Sequence, residues 1–526
     1  MINFSIIFTV LTGLIIFIYA IEHFSKEILA ASGERFRNLL RRLIKNRFSS
    51  TFVGIIFTAL VQSSTATTVI TASLVSAGLI SFAQSLGIIF GANIGTTITA
   101  QLIALKLTSF APYFIVIGFF ISIFGKNYKY VGKVLFYFGL VFFGLTLVSD
   151  AIAPLKNDPA IINMFANTSN MFFALIAGFI FTVIVQSSSV TSGIVIILAT
   201  NGLLSLEQSI PLLLGANIGT TATTLIASSK LNLFAKRSAM AHAFFNIGGA
   251  LLLLPLIKPF VKLITYLGGS TAQQVANAHT IFNVGVALLF LILLTPFKKL
   301  IEYIVKGDEE EILLEPKYLK NSLPKSTKKS FELIEKELAY SLDTTSRMYD
   351  KAIANLKMPT AKLTNQIEKF EALSDLLDEK IEVSLLELSR RELDENEAKR
   401  IVMLVRLSNA IEQLSDFAED LSNLPKSENF QASEEAMLGI DLVYVKLRDY
   451  FDLINDNFLN LRKKKIDINI ESIITKSYAR HVKIIKNKTT YAPSLFVESL
   501  SLMEGAVNKL KEIAHLSVSY EELKRK

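Results

Sequence analysis

Two short stretches carry most of the polar chemistry in the apolar part of this sequence. Gln62-Ser63-Ser64-Thr65-Ala66-Thr67-Thr68 supplies an amide and a row of hydroxyls. Gln186-Ser187-Ser188-Ser189-Val190-Thr191-Ser192 supplies the same groups 124 residues later. Each glutamine is followed 29 residues on by one shared motif, Gly91-Ala92-Asn93-Ile94-Gly95-Thr96-Thr97 and Gly215-Ala216-Asn217-Ile218-Gly219-Thr220-Thr221. A weaker echo lies between the landmarks, Gly78-Leu79-Ile80-Ser81 with Gln84-Ser85 against Gly202-Leu203-Leu204-Ser205 with Gln208-Ser209. Matched spacing at three places implies an internal duplication.

No charged residue occurs from Ser49 to Leu105, and only Glu207 between Pro159 and Ser229. Anything bound there is held by neutral groups. If the Gln-Ser-Ser clusters interrupt helices, the freed N–H groups and the helix dipole favour an anion. Carbonyls at the opposite half-helix end, with Ser, Thr and Asn oxygens, suit a small hard cation such as sodium. Candidate anion ligands are Gln62, Ser63, Ser64, Thr65, Gln186, Ser187, Ser188 and Ser189. Candidate sodium ligands are Thr65, Thr67, Thr68, Asn93, Thr96, Thr97, Ser189, Thr191, Ser192, Asn217, Thr220 and Thr221.

The competing reading is close packing of membrane helices by small residues, and Gly91 with Gly95, or Gly215 with Gly219, has that spacing. Packing does not account for Asn93 and Asn217 beside paired threonines, nor for a seven-residue polar cluster, since each unpartnered polar group costs about 1–3 kcal/mol in an apolar setting. A third pair, Ala241-His242 to Asn246 and Ala278-His279 to Asn283, reads Ala-His-x-x-Phe-Asn and suits hydrogen-bonded structural histidines. Arg237 stands five residues before His242, at an edge where a basic residue is the default. A Gly-x-x-x-x-Gly-Lys-Ser/Thr phosphate loop is absent from the sequence, which argues against ATP-driven transport. Nothing in it resembles a catalytic triad.

The elements that must position these residues follow from composition. Of 526 residues 51% are hydrophobic and 19% charged, and residues 1–304 hold only 19 of the 54 Lys+Arg and 7 of the 46 Asp+Glu. That first part has the composition of a membrane protein and the remainder that of a soluble one, so the basic balance says little about nucleic acid. Without cysteine there are no disulfides or thiolate sites. Phe4 to Ala20 reads as a retained transmembrane helix, followed by a basic amphipathic interfacial segment through Arg47. Residues 50–80 and 171–203 read as helical hairpins broken at the polar clusters. Spans are expected near 84–105, 110–124, 134–153, 209–228, 240–264 and 276–297. Lys126, Lys129 and Lys133 mark a cytoplasmic loop, whereas the loop at 154–170 is poor in basic residues. The two copies are therefore expected to be inverted, the plan of many secondary transporters. From Gly307 onward, charged stretches carry apolar residues at helical spacing, such as Leu377, Ile381 and Leu385, with Pro425 marking a join. A cytoplasmic bundle of five to seven helices is expected.

These motifs resemble the type II sodium/phosphate cotransporter family, in the two Gln-Ser-Ser-Thr/Ser clusters, the two Gly-Ala-Asn-Ile-Gly-Thr-Thr motifs, and Arg237-x-x-x-x-His242-x-x-x-Asn246, over about residues 1–304. Residues 320–520 resemble the PhoU-type phosphate regulator domain, with Glu412-x-x-x-Asp416 in place of its acidic metal motif and no clear second motif near Glu498 to Asn508. The resemblance implies an all-α polytopic transporter with inverted repeats and re-entrant hairpins: a transmembrane domain at 1–304 (repeats about 1–125 and 130–304), a linker at 305–324, and a PhoU-like bundle at 325–526. It implies a non-enzymatic secondary transporter in the cell membrane, with its C-terminal domain in the cytoplasm. Phosphate would be held by the two clusters and Arg237, and sodium co-transported; a metal would fall to Glu412, Asp416 and Asp420. The partners implied are the lipid bilayer and the two ions, with no cofactor, no nucleic acid, and a homodimer among the candidate assemblies. Transport of another small anion, proton coupling, or a membrane phosphate sensor read out by the helical domain are the rivals.

Overall fold

The computed structural model of the chain describes residues 4–105, 107–154, 170–307, 309–320, 322–424, 434–458, 479 and 493–525. Among these, every regular element is helical. The chain forms two compact units, Met1–Glu311 and Ile312–Lys526.

In the first unit the helices are α1 (Phe4–Leu43), α2 (Arg47–Val61), α3 (Ser64–Ser76), α4 (Phe82–Ala104), α5 (Ala111–Phe124), α6 (Lys129–Ile152), α7 (Met171–Val185), α8 (Ser188–Thr200), α9 (Leu206–Ser228), α10 (Leu233–Leu253), α11 (Ile257–Tyr266), α12 (Thr271–Ile292) and α13 (Leu294–Ile304). Among the described residues six stretches are long and apolar enough to cross a membrane: Phe4–Ile28, α4, α6, α9, α10 with α11 (Leu233–Tyr266), and α12. The protein is an all-α polytopic membrane protein. Two expectations change. The first helix and the basic segment after it are one continuous helix of 40 residues, whose apolar window ends at Ile28. Residues 110–124 give a helix of only 14 residues, opened by Pro112 in its first turn. At 1.5 Å per residue α5 is too short to cross a hydrocarbon core alone. The loop at 154–170 and the join at Pro425 fall almost wholly outside the described residues.

The weaker sequence echo is a pair of helix start signals. Ser81 accepts the Gln84 N–H at 3.1 Å while its own N–H donates to Gln84 Oε1 at 2.7 Å. Ser205 and Gln208 repeat this at 3.2 and 2.9 Å. Each is a capping box that fixes where the helix after a hairpin begins. The glycines of the longer repeat bring backbones together: a Cβ on Gly91 would sit 2.0 Å from the Thr51 carbonyl oxygen, and one on Gly215 2.0 Å from that of Leu175. Hence α2 lies flush along α4, and α7 along α9. The second arms cross over: α3 packs on α9 and α10, whereas α8 packs on α4 and α12. Each second arm thus meets the other copy, α3 on α9 and α10 and α8 on α4, in addition to helices of its own.

The stretch read as a linker is divided between the units. Glu311 Oε1 accepts the Phe82 N–H at the start of α4, and Glu309 Oε2 accepts the Leu233 N–H at the start of α10 (3.1 Å). Ile312, Leu319 and Leu323 instead join the apolar core of the second unit. That unit contains α14 (Thr327–Lys357), α15 (Ala361–Ser389), α16 (Glu395–Asn423), α17 (Glu434–Asn457) and α18 (Pro493–Arg525). Fully buried Glu337 on α14 accepts the N–H groups of Lys317, Tyr318 and Leu319 at 2.6–2.7 Å, pinning the irregular lead-in to the bundle.

Candidate functional site

The two polar clusters fold into the same break. Helix α2 ends at Gln62 with φ 56° and ψ 26°, and α7 ends at Gln186 with φ 58° and ψ 22°. Both lie in the left-handed region, which costs a side-chain-bearing residue about 1–2 kcal/mol. In each, the glutamine N–H still closes the last helical bond, to Thr58 O or Thr182 O at 2.7 Å. The next residue swings to extended backbone and caps the following helix: Ser63 Oγ accepts the Ala66 N–H at 3.1 Å, and Ser187 Oγ accepts the Val190 N–H at 3.3 Å. A hydroxyl bridge ties the two arms of each hairpin. Thr58 Oγ1 donates to Thr67 Oγ1 at 2.8 Å, and Thr182 and Thr191 share a bond of 2.6 Å. Strain held at matched positions by matched braces is a mark of a working site.

Both breaks open on one cavity of about 420 Å³, lined by Gln62 to Ala66, by Val185 to Ser189, and by one face of α1. Sequence positions 124 residues apart thus share a wall. Because α3 and α8 both begin here, the first-turn N–H groups of Ser64, Thr65, Ser188 and Ser189 lack intrahelical acceptors. Serine and threonine hydroxyls complete a neutral lining rich in donors, the chemistry that suits an oxyanion. The sequence reading missed Thr99, which donates to Gln62 Oε1 and lies 3.4 Å from Ser189 Oγ, so it joins the two clusters. Its signal was available, because Thr223 stands at the same offset in the second copy. Glu22, Ser25 and Lys26 of α1 were also missed, since they looked like part of the basic segment.

The candidate cation ligands divide. Thr65 and Ser189 line the cavity. The hydroxyls of Thr67, Thr68, Thr96, Thr97, Thr191, Thr220 and Thr221 all donate to carbonyls three or four residues back, and the oxygens of Thr67 and Thr191 are also engaged by Thr58 and Thr182. Ser192 Oγ is buried without a hydrogen-bond partner. Asn93 is turned back to Ile89 O (2.8 Å). Asn217 is engaged by α12, accepting from His279 Nε2 and donating to Asn283 Oδ1, both at 3.1 Å. His279 is accordingly a helix-to-helix brace, as the structural reading expects, whereas both ring nitrogens of buried His242 are without a hydrogen-bond partner among the described residues.

Arg237 is not brought to the cavity. It is buried, and its Nε and guanidinium donate to the carbonyls of Val305 (3.0 Å) and Gly307 (3.3 Å). Its charge is spent holding the segment that leaves the membrane unit. Nor do Glu412, Asp416 and Asp420 converge: among the described residues no three His, Asp or Glu side chains gather closely enough to hold a metal ion. They run along α16 as a stripe. On the facing side of this stripe, burial together with the charges of Glu419 and Asp375 raises the Glu371 carboxyl to about 7.

A sequence model described as Na+/Pi-cotransporter matches residues 16–150 and 155–294, more than half of the chain, and each block contains one copy of the repeat. YqeW of Bacillus subtilis, an uncharacterised protein, is 31% identical over 269 residues, covering 50% of this chain and 87% of YqeW. YjbB of Salmonella typhimurium, provisionally designated an inorganic phosphate export protein, is 24% identical over 517 residues, covering 95% of this chain and 94% of its own. The human sodium-dependent phosphate transport protein 2C is 40% identical over 108 residues, 19% of this chain and 18% of that protein. No solved structure matches the chain.

Proposed function

The chain belongs to the Na+/Pi-cotransporter family, a family of transporters and not of enzymes, and from that premise we propose that it moves inorganic phosphate across the cell membrane together with sodium, by alternating access around the two Gln-Ser-Ser breaks. The observation that carries this reading is the single cavity shared by Gln62 to Thr65 and Gln186 to Ser189. Phosphate accepts hydrogen bonds from the free first-turn N–H groups of α3 and α8 and from the surrounding hydroxyls. Sodium is held by hydroxyl and carbonyl oxygens of the same breaks, with Thr65 and Ser189 at the boundary between the two ions and Thr67, Thr68, Thr191 and Ser192 one helical turn deeper. Anion and cation then lower each other's cost of leaving water.

The duplicated breaks, entered from opposite faces, provide the two halves that rock past one another. The helical unit Ile312–Lys526 is the cytoplasmic PhoU-like regulator of this transport; the match to YjbB across 95% of the chain, both units included, supports treating the two as one functional protein. That relative's designation favours export as the working direction.

Purified protein in liposomes, assayed with an imposed sodium gradient in inside-out and right-side-out orientations, tests substrate, ion and direction together. Sodium-dependent phosphate flux is expected. Flux of phosphate without sodium dependence would overturn the coupling, and absence of phosphate flux under either gradient would overturn the function.

A further inference from the structure

The wall contributed by α1 contains the only charged side chains among the described residues lining the cavity, Glu22 and Lys26. Ile18, Ile21, Glu22, Ser25 and Lys26 lie at spacings of three and four, so one continuous helical face looks onto the two breaks. Lys26 Nζ contacts Glu22 Oε1 at 2.6 Å, with both side chains more than half exposed. The neighbouring Glu27 behaves differently. It is mostly covered and reaches across to Lys133 on α6 at 3.0 Å, serving as a tie between helices. Among the described residues the Glu22–Lys26 pair ties α1 only to itself.

Charge accounting gives this pair a role. Two helix N-termini contribute roughly half a positive charge each, and every other polar group in the lining is neutral, whereas Arg237 is committed elsewhere. Before sodium binds, a phosphate dianion therefore finds about one unit of positive charge too few. We propose that Lys26 is an anion-recognising residue of the site and that Glu22 is its resting counter-ion, which Lys26 leaves when phosphate arrives. This rests on the reading of the cavity as the phosphate site. The exchange is easy because an exposed pair four residues apart on a helix favours association by only about a factor of two. A charge-assisted bond to phosphate favours it by tenfold or more. A weak resting pair also keeps the empty cavity close to neutral, so the anion is not held too tightly to leave.

The test is the KM for phosphate of the full-length chain in liposomes under a sodium gradient. Lys26→Gln is expected to raise KM about tenfold with turnover changed less than threefold, Lys26→Arg to stay within about threefold of the parent, and Glu22→Gln to lower KM about twofold by freeing the lysine. An unchanged KM in Lys26→Gln, or equal increases in Lys26→Gln and Glu22→Gln, overturns the proposal and marks the pair as an interfacial brace. If Lys26→Gln does not fold, Glu22→Gln decides it: a KM lowered about twofold supports the proposal, and an unchanged or raised KM overturns it. Loss of phosphate flux in the parent protein would instead defeat the reading of the cavity, a different result from any of these.

Discussion

Replacing Gln62 separates what its backbone does from what its side chain does. The residue occupies the left-handed region at φ 56°, and its amide makes two bonds, Nε2 to Ala59 O and Oε1 from Thr99 Oγ1. Each such bond contributes about 1 kcal/mol net, so Gln62→Ala, which loses both and keeps the strained backbone, is expected to cost about 2 kcal/mol. Gln62→Gly loses the same bonds but relieves the left-handed penalty of about 1–2 kcal/mol, offset by roughly 0.5–1 kcal/mol of extra chain entropy in the unfolded state. The expected stability order is parent, then glycine, then alanine, with each step about 1 kcal/mol. Thermal unfolding of detergent-purified protein should resolve steps of about 2 °C. Flux responds differently: both variants lose phosphate transport in liposomes, because Thr99, Gln62 and Ser189 no longer form one wall. A glycine variant that transports like the parent would refute a role for the amide. An alanine variant more stable than the glycine one would refute the argument from backbone strain.

Three further outcomes follow from the geometry. Gly91→Ala and Gly215→Ala, whose added carbon would meet backbone oxygens at 2.0 Å, should each cost about 1–3 kcal/mol or more and lower folded yield on size-exclusion chromatography, whereas Gly285→Ala, with nothing within 4 Å, should be neutral. Arg237→Gln should leave the KM for phosphate within about twofold while exposing residues 305–311 to a glutamate-specific protease; a tenfold rise in KM would restore Arg237 to the site. Because the Glu371 carboxyl is raised to about 7, the folded unit binds this proton more tightly than the unfolded chain, so its contribution to stability is greatest at or below the ordinary carboxylate range and falls as pH rises through about 7. Hydrogen exchange in α15 and α16 should therefore quicken between pH 6 and pH 8 beyond its intrinsic pH dependence, by about 1 kcal/mol or less after solvent screening, and Glu371→Gln should remove that excess.

The helical class and the two breaks were legible because they are local: a polar cluster within an apolar run, and a Ser-x-x-Gln start signal after it, act over a few residues. The shared cavity was legible only as far as duplication implies a meeting of copies. What escaped depends on neighbours distant in sequence. Lys26 looked like one more basic residue after a span, and only the register of α1 against both hairpins places it on the cavity wall. Arg237 sat at a suggestive spacing from His242, yet its partners are carbonyls some seventy residues on, which no spacing rule reveals. Thr99 lacked a conspicuous motif of its own. The bounds of α5 were legible, 110–124 against Ala111–Phe124, but a segment of that length falls short of a span.

The crossing of the second arms has a consequence for how the polypeptide is made. Helix α3 is buried against α9 and α10, which do not exist when α3 leaves the ribosome. The cluster in the second copy is 124 residues further along, a delay on the order of ten seconds at ordinary rates of synthesis. During that interval Thr67, Thr68 and Thr71 have only the neighbouring helices of their own copy, α2 and α4, beside them. Their hydroxyls nonetheless donate to the carbonyls of Ser63, Ser64 and Thr67 four residues back, at 2.7–2.9 Å. The nascent arm thus satisfies these donors itself and can wait in the insertion machinery until its neighbours arrive.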